Sequence, residues 1–190
     1  MNIKSHKNIN GFTLIELMIT IAIAAILLSL ALPSFDRTLR TNRTTTQANS
    51  VHTALNIARS EAIKRSSAVT VCASNDQTSP RSCSGANDWS VGWIIFQDLN
   101  ANGTFDDDAD VNLCEVSNNE ASEDCLLRSY KALNGALSLT GSATRIIYTA
   151  RGLPQSTLTL TLNATGCGAG EQRAITVSPT GRANVSSSNC

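Results

Sequence analysis

From Phe12 to Leu32 the chain runs for 21 residues whose only polar members are Thr13, Glu16, Thr20 and Ser29. A helix rises 1.5 Å per residue, so a run of this length reaches about 30 Å, the thickness of a bilayer's hydrocarbon core. A small soluble core has no place for so long an apolar stretch. The run therefore divides the chain into a segment made for lipid or for other helices and a folded part behind it. Glu16 stands only a turn inside this run. An ionised carboxylate in hydrocarbon costs roughly 2.5–3.5 kcal/mol on insertion scales, so Glu16 requires a partner.

A cleaved secretory signal is the competing reading, and Ser29-Leu30-Ala31 offers a small-x-small site from which a mature chain would begin near Leu32. Two features oppose it. A signal's apolar core is usually about 7–15 residues long, shorter than this run, and it has no use for a carboxylate. The leader carrying Lys4 and Lys7 is also short, and it ends at Gly11, a small residue suited to cleavage before the run. With residues 1–11 removed, the new Phe12 amine and Glu16 become opposite charges that packed parallel helices of neighbouring chains can bring together, neutralising both where neither meets water. A pairing of Phe12 with Glu16 inside one chain is the plainer alternative, since neighbours four apart meet on a helix.

Beyond Pro33 the pattern becomes amphipathic. Ala48, Val51, Leu55, Ala58 and Ala62 recur at helical spacing with Arg59, Glu61, Lys64 and Arg65 around the turn. The sequence predicts one helix from residue 12 to about 66, roughly 80 Å long, bent near Pro33 where the imino nitrogen has no N–H to give. Arg37, Arg40 and Arg43 follow the apolar run, placed for lipid headgroups or for a solvated face. From residue 67 the period is that of strands, expected over 68–72, 89–96, 111–116, 126–130, 145–148, 158–162 and 174–177, with Gly, Asn, Asp and Ser between them. The expected fold class is α+β: a long N-terminal helix whose second half packs on an antiparallel β-sheet head domain. The expected divisions are 1–11, a cleaved leader; 12–32, a transmembrane half-helix; 33–66, an amphipathic half-helix; and 67–190, the head, with 186–189 a polar tail held by Cys190.

Cysteine usage places the head in an oxidising compartment. All six, Cys72, Cys83, Cys114, Cys125, Cys167 and Cys190, lie downstream of the apolar run. An even count suits a disulfide framework in a head too small for a large core. Sequence leaves the connectivity open, but pairing in sequential order closes the shortest loops and is the expected one. No zinc-type spacing accompanies them, and His6 and His52 are the only histidines. Asp98-Leu99-Asn100-Ala101-Asn102-Gly103-Thr104-Phe105-Asp106 begins like a calcium loop, but Ala109 stands where a bidentate Glu belongs. An Asn/Asp/Gly-rich turn, with Asp107 and Asp108 solvated, is the better account. No metal or cofactor is expected. No nucleophile elbow, Walker loop or zinc-protease motif is present, and His52 lies among Ser50, Thr53 and Asn56, so neither an enzyme nor a small-molecule substrate is expected. Charges balance at 15 and 15; losing Lys4 and Lys7 leaves 13 cations against 15 anions, a net of −2, which gives no overall attraction for nucleic acid.

The junction Gly11-Phe12-Thr13-Leu14-Ile15-Glu16 resembles the prepilin leader of type IV pilins and type II secretion pseudopilins. The resemblance implies cleavage after Gly11 by a prepilin peptidase, methylation of the Phe12 amine and retention of the apolar helix, and Pro33 matches the usual pilin helix proline. Within that class, residues 89–98, 146–152 and 175–182, the last reading Ile-Thr-Val-Ser-Pro-Thr-Gly-Arg, are similar to the GspH/FimT family. This implies a minor pilin in the tip or priming complex of a type IV pilus. Such a subunit is anchored in the bacterial inner membrane with a periplasmic head, and its partners are other pilins. A minor pseudopilin of a type II secretion system shares every one of these features. Some relatives bind DNA during transformation through a Gly-Arg-x-Arg motif. Here Gly181-Arg182-Ala183-Asn184 keeps one arginine and replaces the other. A DNA-binding face would have to be assembled from Arg145, Arg151, Arg173 and Arg182, with Arg173 and Arg182 the candidate phosphate contacts and few aromatic rings available for stacking.

Overall fold

A computed structural model describes residues 12–75, 82–106 and 124–190, with the backbone alone at 30–34. Gly11, Cys114, the strand expected over 111–116 and Asp107, Asp108 and Ala109 lie outside these residues, and the bend expected at Pro33 falls where side chains are not described. One helix, α1 (Leu14–Arg65), precedes eight strands among the described residues: β1 (Ala68–Ala73), β2 (Trp93–Asp98), β3 (Cys125–Tyr130), β4 (Leu137–Gly141), β5 (Arg145–Tyr148), β6 (Leu158–Ala164), β7 (Gln172–Val177) and β8 (Ala183–Ser188). The chain divides into two units between Leu39 and Arg40.

In the first unit every large apolar side chain from Phe12 to Leu28 is between 53% and 77% exposed. Among the described residues no helix is long and apolar enough to cross a membrane.

In the second unit α1 buries Thr44, Ala48, Val51, Ala54, Leu55, Ala58 and Ala62. Four of the seven are alanine, which lets the helix backbone approach the strands closely. Thr44, the one polar member, satisfies its hydroxyl on the carbonyls of Arg40 and Thr41 at 3.2 and 3.0 Å. The helix stops in a Schellman motif: Ser67 N–H donates to Ala62 O, Ser66 N–H to Ile63 O, both at 3.3 Å, and Ser66 takes the left-handed φ of 51° that the motif demands.

The strands form two antiparallel four-stranded sheets, ordered β3-β2-β1-β5 and β4-β6-β7-β8. The inner faces of both meet α1 in one core, with Val69, Val71, Trp93, Ile95, Ile146 and Tyr148 from the first sheet and Leu139, Leu158, Leu160, Leu162, Ile175 and Val177 from the second. Each such buried side chain contributes about 1.5–3 kcal/mol. The other face of the first sheet is covered as well, because Cys72, Ile94 and Phe96 pack under Phe105, Cys83 and Leu126. That double covering explains why β1 and β2 are buried almost without a break while β4 and β6 alternate.

Several local details differ from expectation. The strand expected from Trp89 begins at Trp93, because Trp89 to Gly92 forms a turn closed by Gly92 N–H on Trp89 O at 3.2 Å. Gly92, at φ 108°, lies so near the Tyr130 carbonyl that a Cβ would sit 2.5 Å from its oxygen. β4 was not expected at all, and the polar tail is strand β8, paired along β7 from Val177↔Ala183 to Gln172↔Ser188. Disulfides join Cys72 to Cys83 and Cys167 to Cys190, with Cα atoms 5.6 and 6.0 Å apart. Cys125 is also disulfide-bonded.

Candidate functional site

Two regions hold the residues that the sequence singles out, and the start of α1 is the first. Thr13 is the residue before the helix and Glu16 the third residue within it, the positions of a capping box. Glu16 N–H donates to Thr13 Oγ1 at 3.3 Å, while Glu16 Oε2 accepts from the Thr13 hydroxyl at 3.3 Å and from its backbone N–H at 3.5 Å. The carboxylate also lies in the positive end of the helix dipole. Glu16 thus has a partner inside its own chain, Thr13, and it stays exposed with lone pairs to spare.

The arginine turns are the second region. The turn ending β5 closes with Gly152 N–H on Thr149 O at 2.7 Å, and the turn between β7 and β8 with Gly181 N–H on Ser178 O at 2.8 Å. Both glycines have positive φ, 71° and 81°. The two turns touch: a Cβ on Gly181 would collide with the Gly152 carbonyl oxygen. Arg59 from α1 reaches the same place, its Nε donating to Gly152 O at 3.0 Å. Two turns earlier on the helix, His52 Nε2 lies 3.2 Å from Ala183 O, the geometry of an N–H donated to that carbonyl. The fold therefore brings Arg151 and Arg182, both exposed, onto adjacent turns. It does not gather all four arginines. Arg145 is spent on the carbonyls of Gly103 and Asn102. Arg173 donates to Gly170 O at 2.8 Å and Gln172 O at 3.2 Å and reaches Thr45 Oγ1 at 3.5 Å.

The loop from Asp98 to Asp106 is held by carboxylates acting as backbone acceptors. Asp98, fully buried, accepts from Thr70 Oγ1, Gly103 N–H and Asn102 N–H at 2.7, 2.8 and 3.1 Å. Asp124 accepts from Leu99 N–H at 2.9 Å and Asp106 N–H at 3.0 Å. Burial pushes Asp124 up to about 6, against these two bonds, with the charges of Asp98 and Asp106 adding to the rise. The loop is an Asx-rich turn pinned over the first sheet. Among the described residues no group of three or more His, Cys, Asp or Glu side chains is placed to hold a metal ion.

The family model for the type II transport protein GspH matches residues 47–181, well over half of the chain. The chain belongs to the GspH family. The prokaryotic N-terminal methylation motif matches residues 6–32 of this GspH-family chain, across the leader junction and the apolar run. Among solved structures it is similar to the type IV minor pilin FimU of Pseudomonas aeruginosa, at 19% identity over 76% of this chain and 88% of that one, with a TM-score of 0.51. The minor pseudopilin EpsH from the type 2 secretion system of Vibrio cholerae also matches, at 15% identity over 76% and 97% of the two chains, with a TM-score of 0.49. No curated protein matches. The family is that of the type II transport protein GspH, and the fold is the pilin-like α+β plan expected from sequence.

Two details of these regions are not anticipated from the sequence, one of which left a signal in it. Thr13-Leu14-Ile15-Glu16 is a plain T-x-x-E capping pattern, hidden because the residues were weighed for membrane insertion. Asp124 carried no signal, since its role depends on a contact 18 residues away with Asp106.

Proposed function

We propose that this GspH-family chain is a minor pilin, a structural subunit that takes part in type IV pilus assembly at the tip or priming complex. The observation that carries the reading is the union of a leader junction and a methylation motif with a helix whose first half exposes apolar side chains on every side. In this reading a prepilin peptidase cuts between Gly11 and Phe12 and the Phe12 amine is methylated. Residues 12–32 anchor the subunit in the inner membrane, with the head in the periplasm, until the helix is drawn into a bundle of other pilins. Glu16, held at the first turn by Thr13, is then presented to the N-terminal amine of a neighbouring helix, which supplies the opposite charge that hydrocarbon requires.

Mass spectrometry of the mature N-terminus tests the reading. A methylated Phe12 is expected, whereas a start near Leu32 eliminates it. Glu16→Ala is expected to be processed normally but to enter filaments poorly, and normal incorporation would remove the charge-pair argument. A second reading, minor pseudopilin of a type II secretion system, is favoured by the family's own description as a type II transport protein. Copurification distinguishes the two by whether pilus or secretion subunits accompany the chain. A role in DNA uptake draws less support, because Arg145 and Arg173 are engaged within the fold and only Arg151 and Arg182 lie on adjacent exposed turns. A mobility-shift titration at low salt tests it, and no shift removes it.

A further inference from the structure

The last turns of α1 and strand β3 enclose an open cleft of about 170 Å³, lined by Ile57, Glu61, Lys64, Arg65, Leu127 and Arg128. Three of the six are cations and one is an anion. Glu61 is already paired, with Arg65 Nε at 2.8 Å and Lys64 Nζ at 3.7 Å, and the Arg65 hydrogen bond holds its carboxyl below the usual range. Arg65 is also fixed, since its Nη1 donates to Gln97 Oε1 on β2 at 3.1 Å. Helix-end electrostatics accounts for Lys64 and Arg65, because cations in the last turn offset the negative end of the dipole. It does not account for Arg128, which stands on a different element, its side chain exposed and without an ion pair or hydrogen bond among the described residues. The cleft thus keeps a surplus of positive charge at Arg128 and at the 73%-exposed Lys64, above an apolar floor of Ile57 and Leu127 that leans on the main core.

We propose that this cleft docks an acidic segment of a neighbouring protein subunit, Arg128 and Lys64 receiving its carboxylates and Ile57 and Leu127 the methylene stems behind them. The inference rests on the reading of the chain as an assembled subunit, which supplies the neighbour. Charge complementarity fixes the sign of the occupant, and the planar guanidinium of Arg128 suits a bidentate carboxylate. Nucleic acid fits less well. The space holds one or two side chains, no lining residue is an aromatic ring on which a base could stack, and the Glu61 carboxylate in the wall opposes a dense phosphate backbone.

The test is fluorescence anisotropy of a fluorescein-labelled peptide, Leu-Glu-Glu-Leu-Glu-Glu, titrated with the full chain in neutral detergent. A single-stranded oligonucleotide of mixed sequence serves as competitor. Saturable binding that weakens with salt is expected, falling by about tenfold or more in the double variant Lys64→Glu, Arg128→Glu, and by a smaller factor in Arg128→Lys, which keeps the charge but loses the fork. Far-UV circular dichroism and buried-tryptophan emission confirm that the variant heads remain folded. Absence of peptide binding, equal binding by the double variant, or displacement of the peptide by the oligonucleotide at matched salt overturns the proposal. None of these results bears on the Phe12 terminus, so the subunit reading stands or falls separately.

Discussion

At the residue scale the most informative group is Asp124, a carboxylate buried for the sake of two backbone N–H groups. Its folded value of about 6 lies above its ordinary 3.8 because burial disfavours the charge, and Asp98 and Asp106 repel it. Between those values the folded chain binds the proton more tightly than the unfolded chain does. The resulting stabilisation is therefore complete below about pH 4 and is lost as the pH rises through 6. Asp124→Asn cannot titrate and has a single oxygen for the N–H groups of Leu99 and Asp106. The stability gap between the parent and this variant is expected to widen as the pH falls from 7 to 4. Urea titrations at each pH measure it, followed by the emission of Trp89 and Trp93, which are buried in the head and are its only tryptophans. A gap that narrows over that range would mean that the ionised form is the one the fold favours.

At the element scale the structure shows which parts of the fold the sequence can announce. The amphipathic half of α1 was legible because six buried apolar positions follow one helical stripe, and β1 and β2 because both faces are covered and their residues are largely apolar, Thr70 being the one polar residue inside β1. β8 was not legible. It is an edge strand whose only large apolar residue is Val185, so pairing with β7 rather than burial makes it a strand. The glycine of Gly181-Arg182 is similar: the motif reads as a carrier of charge, yet its glycine is required by contact. Gly181→Ala would force a Cβ against the Gly152 carbonyl oxygen and strain a φ of 81°. A loss of roughly 2–4 kcal/mol is expected from strain and clash together. Arg182→Ala, which leaves the turn untouched, is expected to stay within about 0.5 kcal/mol of the parent. The same urea titrations compare the two, and equal losses would show that the arginine side chain, not the glycine, secures the turn.

At the scale of the whole molecule, the described residues of the head form two buried clusters rather than one, and Cys72–Cys83 belongs to the smaller while Cys167–Cys190 lies outside both. Cys72 is fully buried in the smaller cluster and its bridge closes a separation of 11 residues; Cys190 is exposed, and its bridge to Cys167 closes 23. Loop-closure entropy alone makes each worth about 3 kcal/mol, so thermodynamics hardly separates them. Access does, because a thiolate must reach a sulfur to exchange with it, and Cys72 is reached only when the cover of Phe105 and the 82–84 segment opens. Dithiothreitol under native conditions is therefore expected to cut Cys167–Cys190 first. β8 would stay paired through its β7 ladder and the Gly170 N–H to Asn189 Oδ1 bond of 3.0 Å. Mass spectrometry after alkylation gives the order of modification, and tryptophan emission gives the state of the core. The expected sequence is labelling of Cys190 and Cys167 with native emission, then labelling of Cys72 and Cys83 together with the red shift of unfolding. If Cys72 and Cys83 were labelled first, the cover over the first sheet would be opening more readily than the C-terminus frays. The smaller cluster would then be the weakest part of the head.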